Sequence, residues 1–178
     1  TIQIIIPVTA PNFGGAFTNA AEAIPDPNDN EELTPETNIS ISNIQIIAPI
    51  VEKTFTPDEI IVGQQSVLEF TITNISGNPT QTNIGFTDNL PLGLTVDGAI
   101  SWVQDNGCTA TFTAQIGSDM VTVSNLDFPS GVTNCTFSVP VTSTIAGTYL
   151  NNSTNFTDQN NIDVSTASAT LNVLLDNT

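Results

Sequence analysis

The 178-residue sequence predicts an all-β fold, an antiparallel sandwich, and three observations carry that prediction. Its polar residues are dominated by 27 threonines and 20 asparagines. Threonine favours the pleated strand and asparagine the turn. Residues that favour helices are scarce, with one Lys, one Met and no Arg, and no segment repeats its apolar residues at the helical period. Apolar and polar residues instead alternate over short runs separated by turn clusters. Strands at a spacing of about 8–12 residues are the pattern of an Ig-like antiparallel β-sandwich.

The strands follow in chain order. Leu68-Glu69-Phe70-Thr71-Ile72-Thr73 puts Leu68, Phe70 and Ile72 on one face. Ile84-Gly85-Phe86-Thr87, Val121-Thr122-Val123-Ser124 and Phe137-Ser138-Val139-Pro140-Val141 repeat the pattern, each with one face apolar. The clusters Ser76-Gly77-Asn78-Pro79, Asp88-Asn89-Leu90-Pro91, Val96-Asp97-Gly98, Gln104-Asp105-Asn106-Gly107 and Phe128-Pro129-Ser130-Gly131 read as the turns between them.

An internal repeat organises the chain. Ile6-Pro7-Val8-Thr9 matches Val139-Pro140-Val141-Thr142, Gly15-Ala16-Phe17-Thr18-Asn19 matches Gly147-Thr148-Tyr149-Leu150-Asn151, and Ile44-Gln45-Ile46-Ile47 matches Leu171-Asn172-Val173-Leu174. The matches keep chain order. Residues 1–48 therefore read as the C-terminal strands of a preceding or partner Ig-like repeat, and 49–178 as a complete repeat. A few strands alone cannot bury their apolar faces. Either the chain is a slice of a tandem array, which is favoured, or its first strands complete a neighbouring subunit by strand donation. The start at Thr1 without Met fits a processed product or a piece of a longer chain.

Charge excludes whole classes of function. One Lys against 18 acidic residues gives a net charge of −17, with no His. Histidine-dependent nucleophilic catalysis and His-ligated metal centres are ruled out. Phosphate clamps and nucleic-acid grooves need clustered cations, and this charge repels nucleic acids and anionic membranes. Apolar runs such as Ile46-Ile47-Ala48-Pro49-Ile50-Val51 fall far short of the ~20 residues that span a bilayer, so no direct membrane insertion is expected. Carboxylate chemistry survives. A two-carboxylate hydrolase is disfavoured because the acids sit mostly in turns without an aromatic cleft. The expected protein is not an enzyme.

Three stretches then resemble a known family. Lys53-Thr54-Phe55-Thr56-Pro57 with Val62-Gly63 and Leu68–Asn74 is similar to its opening. Phe86-Thr87-Asp88-Asn89-Leu90-Pro91-Leu92-Gly93-Leu94 resembles its most distinctive run, and Ala146-Gly147-Thr148-Tyr149-Leu150-Asn151-Asn152 its closing hairpin. The family is the Ig-like bacterial surface repeat catalogued as domain of unknown function eleven. The resemblance covers about 49–174. It implies a non-enzymatic module in the stalk of a large extracellular adhesin or filament on the bacterial cell surface, with gliding-type adhesins among the options. Its partners would be adjacent repeats or subunits of the same protein. The alternatives are an adhesive module binding a glycan or protein, or a filament subunit assembled by strand donation.

Four local features invite a specific reading. Cys108 and Cys135 are the only cysteines, and a disulfide between them would suit an oxidising, extracellular compartment; the plainer alternative is a pair of buried thiols. The acidic stretch Asp26, Asn28, Asp29, Asn30, Glu31 and Glu32, and its repeat counterpart Asp158, Asn160 and Asp163, offer clustered oxygens that would suit Ca²⁺. A solvated acidic loop explains them equally well, as it does Glu52, Asp58 and Glu59 near the domain junction. Asn-x-Ser/Thr sequons at Asn38, Asn74, Asn134, Asn151, Asn152 and Asn155 barely exceed what the composition yields by chance. Lastly, Lys53 on the first strand and Asn172 on the last form a candidate pair for a Lys–Asn isopeptide bond, beside the plainer reading of an ordinary strand lysine.

Overall fold

A computed structural model of the chain describes residues 15–19, 42–102 and 107–176. Fourteen strands follow one another: β1 Gly15–Asn19, β2 Ser42–Ile46, β3 Ile50–Thr56, β4 Glu59–Ile61, β5 Gln65–Thr73, β6 Gln81–Asn89, β7 Thr95–Val96, β8 Ser101–Trp102, β9 Thr109–Thr113, β10 Met120–Phe128, β11 Asn134–Thr142, β12 Gly147–Asn152, β13 Phe156–Asn160 and β14 Ser168–Leu174. A single 3-10 turn, Ser153–Asn155, separates β12 from β13. The all-β antiparallel sandwich expected from the alternation is what the chain forms.

One sheet runs β3-β5-β11-β7, with β8 also paired to β11, and a second runs β13-β6-β10-β9. A third, β12-β14-β4, includes a parallel pair, β14 with β4. The inner faces of the first two sheets meet over a ring cluster. Phe70 of β5 stacks on Phe137 of β11 at 4.7 Å, and both rings lie against Phe86 of β6. Phe86 in turn meets Phe156 of β13 edge-on at 5.1 Å. Leu68, Ile72, Ile84, Val121, Val139 and Leu171 complete a core with no exposed surface. Each side chain so buried contributes about 1.5–3 kcal/mol.

The abundant asparagines have a local job in the second sheet. Asn83 in β6, Asn125 in β10 and Asp158 in β13 adopt positive φ between 51° and 56°, on three neighbouring strands. Asn and Asp tolerate this left-handed conformation better than other side-chain-bearing residues. The β10–β6 ladder shifts register between Val123 and Leu126, and the β13–β6 ladder between Thr157 and Asn160. Such bulges increase local twist, which the sheet needs to wrap the core. The Asp127 carboxylate and the Asn160 amide take up the Asn83 N–H and carbonyl that these bulges leave over.

One expected turn begins later than the sequence pattern suggests. Asp88-Asn89 belong to β6, and the chain turns only at Leu90–Leu94, closed by the Leu94 N–H on the Pro91 carbonyl. Gly93 sits there at φ +96°, with the Tyr149 hydroxyl 3.2 Å from where a Cβ would stand. That hydroxyl donates to the Ile145 carbonyl at 2.7 Å and shares a hydrogen bond with Ser143 Oγ at 2.8 Å. The Leu-Pro-Leu-Gly-Leu turn and the Gly-Thr-Tyr hairpin are thus packed on each other.

The two hairpins that the internal repeat aligns share one register. Gly15 pairs with Ile46 and Asn19 with Ser42; their counterparts Gly147 and Val173, and Asn151 and Ala169, pair in the same way.

Candidate functional site

Three polar side chains converge inside the sandwich, one from each stretch that carries the family resemblance. Lys53 lies on β3 between Val51 and Phe55, which share its inward face. Asp88 follows Ile84 and Phe86 on the inward face of β6, and Asn151 follows Tyr149 on that of β12. Strand alternation alone sends all three inward. Lys53 and Asp88 side chains are wholly shielded from water, and Asn151 is 0% exposed.

Their contacts close into a ring. Lys53 Nζ donates to Asp88 Oδ1 at 3.1 Å and to Asn151 Oδ1 at 2.7 Å. Asn151 Nδ2 donates to the other carboxylate oxygen, Asp88 Oδ2, at 2.7 Å. The Asn152 carbonyl is a third acceptor for Nζ at 3.4 Å, and the Phe156 ring lies 4.1 Å from Nζ, where its π-face attracts the cation. Each side-chain nitrogen and oxygen of the ring has a partner, as a buried polar group must.

Neighbouring asparagines hold the ring in place. Asn152 and Asn155 cap the 3-10 turn reciprocally. The Asn155 amide donates to the Asn89 carbonyl at 2.7 Å, and the Asn89 amide returns a bond to the Asn155 carbonyl at 3.0 Å. The turn is thereby tied to the residue beside Asp88. The triplet Asn151-Asn152-Ser153, a sequon in the sequence, is part of this scaffold, and its Asn151 side chain is inaccessible.

Burial dominates the electrostatics. Loss of water pushes the Lys53 ammonium below its ordinary pKa, and the Asp88 charge only partly offsets this. Loss of water likewise pushes Asp88 up, against the opposing pull of Lys53 and the Asn151 hydrogen bond. Both shifts favour a neutral pair, with the proton moved from nitrogen to oxygen.

The other sequence-derived sites are placed as follows. Cys108 and Cys135 form a disulfide with Cα atoms 6.3 Å apart. It ties the segment leading into β9 to β11, and so joins the second sheet to the first. Asp26, Asn28, Asp29, Asn30, Glu31 and Glu32 lie outside the described residues. Asp158 occupies the β13 bulge, the Asn160 amide points its nitrogen at the Asn83 carbonyl, and Asp163 Oδ1 accepts the Ser165 N–H at 2.9 Å. Among the described residues no three His, Cys, Asp or Glu side chains gather closely enough to hold a metal. The expected Lys53–Asn172 pairing does not form. Asn172 Oδ1 accepts the Thr148 hydroxyl at an exposed position, while Lys53 turns to Asn151 one strand over. Among the described residues no helix is long and apolar enough to cross a membrane.

Residues 49–173 match the profile of a family described as a domain of unknown function, DUF7933. The chain belongs to that family. The DUF7933 match takes in Lys53, Asp88, Asn151 and both cysteines. No curated protein matches the chain. Among solved structures it is similar to a non-cellulosomal cohesin from the archaeon Archaeoglobus fulgidus, at 15% identity and TM-score 0.47, covering 71% of this chain and 90% of that one. It is similar to a cohesin module of a family 33 glycoside hydrolase from Clostridium perfringens, at 11% identity and TM-score 0.48, covering 73% and 99%. The collagen adhesin of S. aureus matches at 9% identity and TM-score 0.43, covering 75% and 53%.

Proposed function

We propose that this chain is a non-enzymatic structural module of an extracellular bacterial filament or adhesin stalk, related to the surface repeats of domain eleven type. The observation that carries the reading is the common register of the β1/β2 and β12/β14 hairpins. Two copies of one supersecondary unit in a chain of this length fit a tandem array, in which each repeat supplies the same mechanical element. Residues 1–48 then end one repeat and 49–178 form the next.

The charge and the cross-linking of the chain fit such a role. The one cation of the chain is buried and used internally, so the surface carries only negative charge, which keeps neighbouring filaments apart. A disulfide between the sheets resists shear in an oxidising exterior. Electron microscopy of the native material, with mass spectrometry of its full-length chain, tests the proposal. Thin filaments built from one long repetitive chain are expected. Filaments of separate short subunits would favour strand donation instead. Saturable binding of a glycan by the 178-residue chain, without filaments, would overturn the stalk reading in favour of an adhesive module.

A further inference from the structure

The geometry points to a covalent bond: we infer that Lys53 Nζ condenses with the side-chain amide of Asn151, assisted by Asp88, to form an intramolecular isopeptide cross-link between β3 and β12. Three conditions for amide exchange meet at this point. The amine and the amide are in contact, with Nζ 2.7 Å from Asn151 Oδ1 and therefore one bond from the carbonyl carbon. A carboxyl group touches both reactants through its two oxygens, at 3.1 Å and 2.7 Å. The site is sealed from water, so hydrolysis does not compete and the reactants are held as one molecule holds its own groups.

The step balances without any cofactor. Lys53 gives one proton to Asp88, leaving a neutral amine and a neutral carboxylic acid. Burial drives both groups in this direction. The amide group then turns about its last bond, which leaves its outline unchanged and presents Oδ1 to the Asp88 hydroxyl. Nζ attacks Cγ of Asn151 while the acid protonates Oδ1. The Asp88 carboxylate next takes a proton from Nζ and passes it to Nδ2. The Cγ–Nδ2 bond breaks, ammonia leaves, and the proton on Oδ1 returns to Asp88. A primary amide and an amine have become a secondary amide and ammonia, and Asp88 ends protonated, able to donate to the new carbonyl. Phe156, packed on Nζ at 4.1 Å, closes one side of the reacting nitrogen.

The repeat extends the inference. Asn19 occupies in the β1/β2 hairpin the register position that Asn151 occupies in β12/β14. In an array, each repeat would present its own acceptor amide at that point.

The test is the mass of the full chain. The purified protein is expected to weigh about 17 Da less than its sequence after correction for the disulfide, one ammonia lost. An asparagine that cyclises on its own backbone loses the same mass, so peptide mapping decides. The chain has one Lys and no Arg, so chymotrypsin is used in place of trypsin. A branched peptide joining the Lys53 and Asn151 segments is expected. Lys53→Met and Asn151→Ala should each restore the full mass, and Asp88→Asn should restore it in protein whose circular dichroism remains that of a β-sandwich. Two linear peptides at full mass in the wild-type chain would overturn the bond. Full cross-linking in Asp88→Asn would overturn the role of Asp88.

Discussion

Lys53 Nζ and Asn151 Oδ1 lie 2.7 Å apart although 98 residues separate them in the chain. The contact joins the first strand of the domain to the β12/β14 hairpin near its end, and Asp88 from the middle of the chain completes it.

Removing Asp88 should be costly. In Asp88→Ala the Lys53 amino group, shielded from solvent, loses its carboxyl partner. Breaking a buried pair by deleting one partner costs about 3–5 kcal/mol. Urea unfolding of wild type and variant measures this, and a loss below ~1 kcal/mol would show that the pair carries little of the fold.

The pH dependence of Lys53→Met follows from what remains. Burial already raises the Asp88 pKa against the opposing pull of Lys53, so without that lysine the carboxyl is raised further. A carboxyl with a raised folded pKa binds its proton more tightly in the folded state. Its stabilising contribution is complete below the unfolded value, about 4, and is lost as pH rises through the folded value. Melting temperatures of Lys53→Met should therefore fall as pH rises above about 4. A flat profile would contradict the burial of Asp88.

The disulfide should act chiefly on the unfolded chain. Cys108 and Cys135 are 27 residues apart, a loop whose closure contributes about 3–4 kcal/mol on the chain-entropy view. Replacing both by serine should lower stability by that order while leaving the fold, and hence the Lys53 site, intact. Chemical denaturation with and without reductant measures the same quantity.

Asp163 should behave as a turn cap. Its hydrogen bonds from Ser165 hold its carboxyl below the ordinary pKa. A depressed folded pKa contributes stability above the unfolded value, and that contribution disappears as pH falls through the folded one. Asp163→Ala should be less stable than wild type at pH 7, and the difference should shrink towards pH ~2.

The core depends on stacked rings. Phe137 stacks on Phe70 at 4.7 Å and meets Phe112 at the same distance. Phe137→Ala should cost about 3–5 kcal/mol in denaturant unfolding.

Much of this fold was legible because period-2 alternation marks half-buried strands wherever one face meets water. Leu68, Phe70 and Ile72, like Phe137, Val139 and Val141, point to the core as their spacing predicts. The site was harder to see because its polar residues sit in that same phase. Asp88 follows Ile84 and Phe86 at even spacing, yet the Asp-Asn-Leu-Pro cluster reads as a turn, since Asp and Asn are turn formers on average. The burial of Asp88 depends on partners 35 and 63 residues away. Val51, Lys53 and Phe55 carried the same signal, an ionisable residue in phase with apolar neighbours. Choosing Asn172 as the partner of Lys53 overlooked that phase as well. Asn172 alternates with the buried Leu171 and Val173 and therefore faces outward, whereas Asn151 is in phase with the buried Tyr149.

The central claim, a tension-bearing module locked between β3 and β12, is tested most directly by stretching single molecules of the chain from its two ends. With Lys53 joined to Asn151, the 98 residues of sequence between them stay closed. With reductant present to open the Cys108–Cys135 loop inside this segment, the unfolding step should then be shorter by up to about 330 Å, at about 3.4 Å per extended residue. A step that releases this full length in the wild-type chain would contradict the lock.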